Sequence, residues 1–377
     1  MNILHFGKFY PPFKGGMEKY LQELAEQQSL KHNITVLVHN HHFSRFKSET
    51  THETINSVTV VRQKTLKPFL FTPIMLGVGK IINSLLKQNN TQIIHIAWPN
   101  PSALFLLMNK SAKKLPWVIQ WQSDMVTERS SALLKFAYFF FKPLEKIILK
   151  RAAAVIVSSQ EYFEHSNALP AFANKCHTIP LGITFQAQNS KQSEQQWADQ
   201  LWAKSPYKIF SVGRLTFYKN HQLLLQAAQL LPEAQFIITG TGELMTQLKN
   251  EIADKQLNNV YLTGKLKQNK LHALMATCDA FCLPSNDRAE SYGMVLLEAL
   301  SFNKSILVSN LEGSGMKWIA SQAKNSLTFD CNNANDLVLK IMEITQQPQS
   351  PFNFKNSPFL IENCENKIQH IYETILK

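Results

Sequence analysis

No stretch of ~18 uncharged apolar residues occurs in the 377-residue chain, so a membrane-spanning helix is not expected. The N-terminal MNILHFGKFYPPF has no basic segment leading into an apolar one and does not read as a secretory signal. Cysteine is scarce. Its five positions (Cys176, Cys278, Cys282, Cys331, Cys364) are odd in number and scattered. Cys278 and Cys282 stand four apart, but no second pair or histidine cluster completes a zinc site. They read as reduced cysteines, mostly core, of a cytosolic protein. The segment ITGTGEL (238–244) holds a Gly-x-Gly turn but lacks the third glycine of a dinucleotide fingerprint. A nucleotide-dependent oxidoreductase is therefore a weak reading. Helix-turn-helix, zinc-finger and RNA-binding motifs are also missing, which leaves a nucleic-acid partner supported by charge alone and not expected.

What is present is asymmetric charge. Residues 1–180 carry 21 Lys and Arg against 10 Asp and Glu, a net +11, whereas residues 181–377 carry 18 against 17, a net +1. One half therefore faces an anionic partner, either nucleic acid or an anionic membrane surface. Hydrophobic residues make up 45% of the chain, enough for two cores.

The chain reads as two series of strands alternating with helical segments. Strands are expected at 2–6, 34–39, 57–61, 92–97, 117–121 and 153–159, and again at 207–213, 234–240, 259–264, 280–284 and 305–309. This alternation predicts two doubly wound α/β domains with parallel sheets covered on both faces. The boundary is expected in the polar, Gln/Ser-rich segment 185–206, which lacks a strand pattern. The first domain spans 1–184 and the second 206–355. The C-terminal segment reads as an amphipathic helix with Ile368, Ile371 and Ile375 in phase. Ligands of open parallel sheets bind outside the carboxyl ends of the strands, and two such sheets facing each other make a cleft.

Several chemistry-bearing residues stand just after strands. In FSVGRLTFYKNHQ (210–222) a strand ends at Gly213, and Arg214 and Lys219 occupy the loop before the next helix. Two cations beside free backbone N–H groups suit a diphosphate, although a pair of solvated surface cations would give the same pattern. In AESYGMVLLEAL (289–300) Glu290 and Glu298 stand eight apart. Eight helical residues rise about 12 Å, so the two carboxylates do not grip one small group. They suit the two ends of an elongated ligand with an anion at its middle. A nucleotide diphosphate sugar has that form: Glu290 at the sugar, Glu298 at the ribose, and the N–H groups of Ser291–Met294 with Arg214 and Lys219 at the phosphates. The alternative is a solvated loop glutamate and a helix-surface glutamate.

Taken together, VGRLTFYKN, GTGEL, LPSNDRAESYGMVLLEAL, IPLGI (179–183) and the Gly15–Gly16 pair in YPPFKGGMEKY resemble the retaining family-four glycosyltransferases, bacterial surface-polysaccharide branch. The resemblance covers most of the chain and is closest in the second half. It implies the GT-B fold: two Rossmann-like domains facing a cleft, with a C-terminal helix (360–377) crossing back to the N-terminal domain. It implies acceptor binding by the first domain and donor binding mostly by the second. No cofactor or metal is implied beyond the nucleotide diphosphate sugar itself, and the Asp-x-Asp motif of metal-dependent sugar transferases does not occur. Catalytic roles fall on Glu290, Arg214, Lys219 and Gln122. Donor contacts fall on Gly15, Gly16, Gly213, Gly242 and Leu266, and on Ser291, Tyr292, Gly293, Met294 and Glu298. His95 and Asp124 fall on the acceptor side. Gln122-Ser123-Asp124 stands where many relatives carry His-Ser-Asp. Glutamine hydrogen-bonds as histidine does but does not titrate.

The basic, aromatic stretch 129–151, RSSALLKFAYFFFKPLEKIILKR, reads either as a core helix with solvated lysines or as an interfacial membrane helix. With the charge of this half, the expectation is a cytoplasmic protein peripheral on the inner face of the membrane. Its expected activity is transfer of a hexose-type sugar, with GDP-mannose the favoured donor, to a glycan or lipid-linked acceptor. The alternative is a nucleotide-sugar-binding protein with degenerate catalysis.

Overall fold

The computed structural model describes the chain apart from residues 14, 43–44, 47–48, 70–71, 126–130, 186–190 and 348–349, and apart from the side chains of 41–48 and 66–72. Positions 186–190 of the expected boundary, and 129–130 of the basic aromatic stretch, lie outside the described residues. The chain divides into two compact units, Met1–Thr184 with Ser357–Lys377, and Phe185–Asn356.

In the first unit the strands are β1 (Asn2–Phe6), β2 (Asn33–His42), β3 (Arg45–Phe46), β4 (Thr51–Ile55), β5 (Val58–Phe69), β6 (Thr72–Met75), β7 (Ile93–Trp98), β8 (Trp117–Trp121), β9 (Ala154–Val157) and β10 (Cys176–Thr178). Helices α1 (Gly16–Ser29), α2 (Val78–Gln88), α3 (Leu104–Met108), α4 (Ala132–Arg151) and α5 (Gln160–His165) lie between them. Among the described residues these strands form one sheet, ordered β10-β9-β8-β7-β1-β2-β5-β4. It is parallel from β10 to β5, as the alternation predicts. The edge departs from that prediction: β4 and β6 pair antiparallel to β5. The β4–β5 turn runs through Asn56 and Ser57, both at positive φ (45° and 66°), the backbone of a tight two-residue hairpin. Strand β4 escapes the sequence reading because its residues are mostly exposed and polar, with one apolar side chain to signal a core face.

One sheet face packs Leu4, Phe6, Ile94, Ile96, Ile119 and Val155 with three buried tryptophans. Two of these, Trp98 and Trp121, stack at 5.4 Å. The other face lies toward α1 and the C-terminal helix, which pack together. Ile183 bridges to Leu360 just before that helix. Gly182 is needed there, because a Cβ would come within 2.7 Å of Cys364 Sγ and 2.9 Å of Ile361 Cα.

The second unit continues with α6 (Gln192–Leu201), β11 (Tyr207–Val212), α7 (His221–Leu230), β12 (Ala234–Thr239), α8 (Met245–Asp254), β13 (Val260–Gly264), α9 (Gln268–Thr277), β14 (Ala280–Leu283), α10 (Met294–Ser301), β15 (Ser305–Ser309), α11 (Met316–Ser321), β16 (Ser326–Phe329) and α12 (Ala334–Gln346). The chain ends with α13 (Ile361–Leu376), which belongs to the first unit. The second sheet is parallel throughout, ordered β13-β12-β11-β14-β15-β16. The polar segment expected to be linker contains α6, which is part of this unit. Trp202, just after α6, is fully buried and its indole N–H donates to Thr277 Oγ1 at 2.8 Å. The Lys270 ammonium lies 4.4 Å from the centre of the Trp197 ring. Two tryptophans in a glutamine-rich background were the signal of a packed segment.

Candidate active site

The second unit assembles its candidate residues where β11, β12, β13 and β14 end. Gly213 N–H donates to Thr239 O, and Gly240 N–H to Gly264 O, each at 3.0 Å, so three strand ends are laced together. Leu215 N–H then bonds Thr241 O at 3.1 Å. Gly240 sits at φ +149°, and a Cβ there would fall 1.8 Å from Gly213 O. A Cβ on Gly242 would fall 2.3 Å from Leu215 O. The Gly-x-Gly turn therefore lets two loops touch backbone to backbone, whatever it does for a ligand.

Lys219 closes a short helical turn, Phe217–Lys219. Its aliphatic stem passes over Gly213, where a Cβ would meet Lys219 Cε at 3.2 Å. Its ammonium forms an ion pair with Glu290 Oε2. Lys219 is 8% exposed and the Glu290 side chain 12%. Burial works against the ammonium, yet the facing carboxylate outweighs it and holds the Lys219 pKa above its ordinary value. The neighbouring Arg214 opposes that rise slightly. It is exposed at the loop's opening and close enough for its charge to be felt. Sequence spacing alone did not reveal that Lys219 and Glu290, 71 positions apart, are partners.

Glu290 is held from several sides. Its N–H donates to Asp287 O at 3.0 Å, and Ser314 Oγ donates to its carbonyl at 2.6 Å. Ser285 Oγ donates to Oε2 at 3.3 Å. Asn286 N–H reaches Tyr218 O at 2.9 Å, tying the loop after β14 to the loop after β11. Gly293, at φ +86°, turns the chain into α10, which begins at Met294. Glu290 is thus four residues before the helix, so the regular helical rise estimated for the Glu290–Glu298 pair does not apply. Glu298 lies half-buried on α10, Tyr292 is buried, and Ser291 O accepts from Gly315 N–H at 2.9 Å. Leu266 follows β13, half-buried.

The sequence reading passed over His221, which opens α7 two residues beyond Lys219. Burial, then the Lys219 charge, push its pKa down to about 3, so the imidazole is neutral. Neither of its ring nitrogens has a partner among the described residues. A lone histidine inside LLL-rich helical sequence carried no signal of this.

In the first unit, Gly15 is the extended residue before α1 and Gly16 its first residue. The Glu18 side chain folds back over Gly15, where a Cβ would lie 2.1 Å from Oε2. This carboxylate answers the positive end of α1, and a donor phosphate there would have to displace it. Gln122 follows β8 and is 3% exposed, with its N–H on Trp98 O at 3.0 Å. Both amide atoms of its side chain lack partners among the described residues, as does Oγ of fully buried Ser158. The β8–β9 register pairs Trp121 with Val157, so Gln122 and Ser158 come next to each other where the ladder ends. A buried polar group without a partner costs about 1–3 kcal/mol.

The two residues expected on the acceptor side make their contacts within the first unit. His95 does not end its strand. It is the third residue of β7, 1% exposed, with Nδ1 hydrogen-bonded to Tyr372 Oη of α13. Burial, with the neighbouring His5 ring at 4.8 Å, holds its pKa well below the usual histidine value. It joins sheet to returning helix. Asp124 spends Oδ1 on Trp121 Nε1 (3.0 Å) and Ser166 Oγ (2.8 Å), fixing the chain after β8. Asp124 follows β8 and His95 lies inside β7, and in both cases the element lying across the side chain decides what it touches.

Comparison with known proteins agrees with this architecture. Residues 14–186 match the profile described as Glycosyltransferase Family 4, and residues 192–357 the profile described as Glycosyl transferases group 1. The chain is 26% identical to the O-antigen chain mannosyltransferase C of Escherichia coli, over 100% of this chain and 99% of that protein. It is also 26% identical to the D-rhamnosyltransferase WbpZ of Pseudomonas aeruginosa, over 87% and 82%. Among solved structures, a glycosyltransferase from Rickettsia africae superposes with a TM-score of 0.71 at 17% identity, covering 100% of this chain and 98% of that one. Anabaena HepE, crystallised with UDP and glucose, gives 0.71 at 16% identity with 99% of each chain covered. Two family profiles laid end to end across both units, over two parallel α/β sheets, lead to one conclusion: the chain belongs to the family-four glycosyltransferases and has the GT-B fold.

Proposed function

We propose that the protein is a retaining, metal-independent hexosyltransferase of bacterial surface-polysaccharide synthesis, working at the cytoplasmic face of the membrane on a glycan or lipid-linked acceptor. The observation that carries this is the buried Lys219–Glu290 pair beside Gly213. A cation and a carboxylate held side by side suit a sugar diphosphate, whose phosphates seek the ammonium and whose hydroxyls seek the carboxylate. In this reading the donor exchanges the pair's mutual contact for contacts to itself. Lys219, Arg214 and the backbone N–H groups before α10 then face the diphosphate as it leaves with the bonding electron pair. The acceptor oxygen bonds to the anomeric carbon from the same side, and its proton passes to the departing phosphate oxygen. Glu290 orients the sugar and Glu298 the ribose. Gln122 and Ser158 hold hydroxyls without exchanging a proton.

GDP-mannose is the favoured donor, supported by a relative named as a mannosyltransferase. The test is a panel of sugar nucleotides scored for thermal stabilisation and for nucleotide release with a glycan or lipid-linked acceptor. Stabilisation together with release by GDP-mannose is expected. Stabilisation without release under any donor and acceptor would instead support the binder with degenerate catalysis.

A further inference from the structure

Helix α4 turns three different sectors in three directions. At 100° per residue, Leu133, Phe136, Phe140, Leu144 and Ile147 fall within an arc of about 80°. All five are exposed, Phe136 to 65%, while Phe139, about 60° outside the arc, is exposed to 71%. Lys135, Lys142, Lys146 and Lys150 fill an adjoining arc of similar width and are also exposed. The remaining sector carries Glu145, Ile148 and Leu149, each at most 1% exposed, which pack the helix onto the unit. The helix is therefore held by one side and offers an apolar band beside a cationic band.

Its presentation is fixed at both ends. Ser131 Oγ accepts from Leu134 N–H at 3.3 Å. At the other end Arg151 donates to Leu115 O at 2.8 Å, and the Lys175 ammonium to Lys150 O and Ala152 O at 2.6 and 2.9 Å. Glu145 is the one acidic residue of the helix and is buried against Tyr138, so the outer sectors hold no negative charge. A second copy paired along the apolar band would lay lysine row beside lysine row with no acid on α4 to answer it. An anionic bilayer answers both bands at once: acyl chains take the phenylalanines and headgroup phosphates take the ammonium groups. Among the described residues no helix is long and apolar enough to cross a membrane, which leaves lying in the interface plane.

We propose that α4 docks the first unit on an anionic lipid bilayer, parallel to its surface, with Phe136, Phe140 and Ile147 below the headgroups and the four lysines at the phosphates. This docking is independent of the transfer reaction and fails separately from it.

The experiment is co-sedimentation of the full chain with vesicles of phosphatidylcholine alone or mixed with phosphatidylglycerol. The expected result is binding to the mixed vesicles at least tenfold tighter than to the neutral ones. Replacing Lys142, Lys146 and Lys150 together by Gln should weaken it on the order of a hundredfold. Phe136→Ser with Phe140→Ser should weaken it at all salt concentrations, while the lysine variant should differ from wild type chiefly at low salt. All these side chains are exposed, so thermal stabilisation by sugar nucleotide should match wild type in both variants. Equal binding to neutral vesicles, or undiminished binding by both variants, would overturn the proposal. So would a dimer, seen by light scattering, that Phe140→Ser dissolves while vesicles bind nothing.

Discussion

The two units share an architecture and use it differently. In Phe185–Asn356 the groups around Glu290 are paired with one another, Lys219 and Ser285 with its carboxylate and Ser314 with its backbone, while the His221 ring beside them has no partner among the described residues. In the first unit, Gln122 and Ser158 are buried and unpaired, and His5 and His95 are buried within the strands themselves. Charge follows the same divide, 23 Lys and Arg against 13 Asp and Glu (+10) over Met1–Thr184 with Ser357–Lys377, and 16 against 14 (+2) over Phe185–Asn356. On the proposed function, a charged donor would have to open the Lys219–Glu290 pair, whereas acceptor hydroxyls would meet amide and hydroxyl groups that have no partner among the described residues. The surplus positive charge of the first unit lies instead on its surface, where α4 contributes four exposed lysines.

The largest effect should come from removing the balance in the second unit. Lys219→Ala leaves Glu290 facing the donor phosphates, and transfer should fall about 10²–10³-fold with weaker binding of the bare nucleotide diphosphate as well. Glu290→Ala should spare the bare nucleotide and weaken the intact sugar nucleotide. Steady-state rates and calorimetric titration check both, and equal nucleotide affinity in the two variants would remove the division of labour. Next comes the backbone beneath the site. Gly240→Ala should destabilise the second unit by about 3 kcal/mol, because positive φ and a backbone collision act together. Hydrogen exchange should rise over β11–β13 and stay unchanged over β7–β9. A rise over both sheets would show that the units do not unfold separately.

A smaller effect is expected in the first unit. Gln122→Ala should lower transfer about tenfold, as the loss of one or two neutral hydrogen bonds implies, with nucleotide affinity unchanged. Gln122→His should keep the rate, and its pH profile should gain no new limb. An inactive wild type rescued by histidine would replace positioning by proton transfer. Smallest at neutral pH are the buried ionisable groups. His5 has a pKa lowered to about 4 by burial, partly offset by Gln28. Its contribution to stability is present above 6.5 and is lost as pH falls through about 4. Glu145 has a pKa raised to about 7 by burial. Its contribution is present below about 4.5 and lost as pH rises through 7. His5→Gln should flatten the acid limb of Tm against pH and Glu145→Gln the limb between 4.5 and 7, as differential scanning fluorimetry would measure.

Much of the second unit was readable residue by residue. Gly213, Arg214, Lys219, Gly242 and Glu290 all stand in loops directly after strands that the apolar runs predict. Local chain direction places such residues, and in a parallel sheet those loops gather at one end. Less of the first unit was readable. The β4–β5 hairpin rests on a turn whose asparagine was the available signal, and β4 has little apolar patterning. His95 lies inside β7 and turns toward α13, and Asp124, just after β8, turns toward Trp121 and Ser166.

The sequence by itself determined the two parallel α/β cores, the family, the loops that carry the cations and glutamates, and the unequal charge. The family rests on the resemblance of its motifs; the rest follow from period, spacing and composition, which are properties of neighbouring residues. Tertiary structure decided that Lys219 is neutralised by Glu290, that Glu18 covers Gly15, that His95 is sealed beneath Tyr372, and that the phenylalanines of α4 face outward rather than in. Each of those depends on which distant element lies across a side chain, and an amphipathic pattern does not say which of its faces another element will cover.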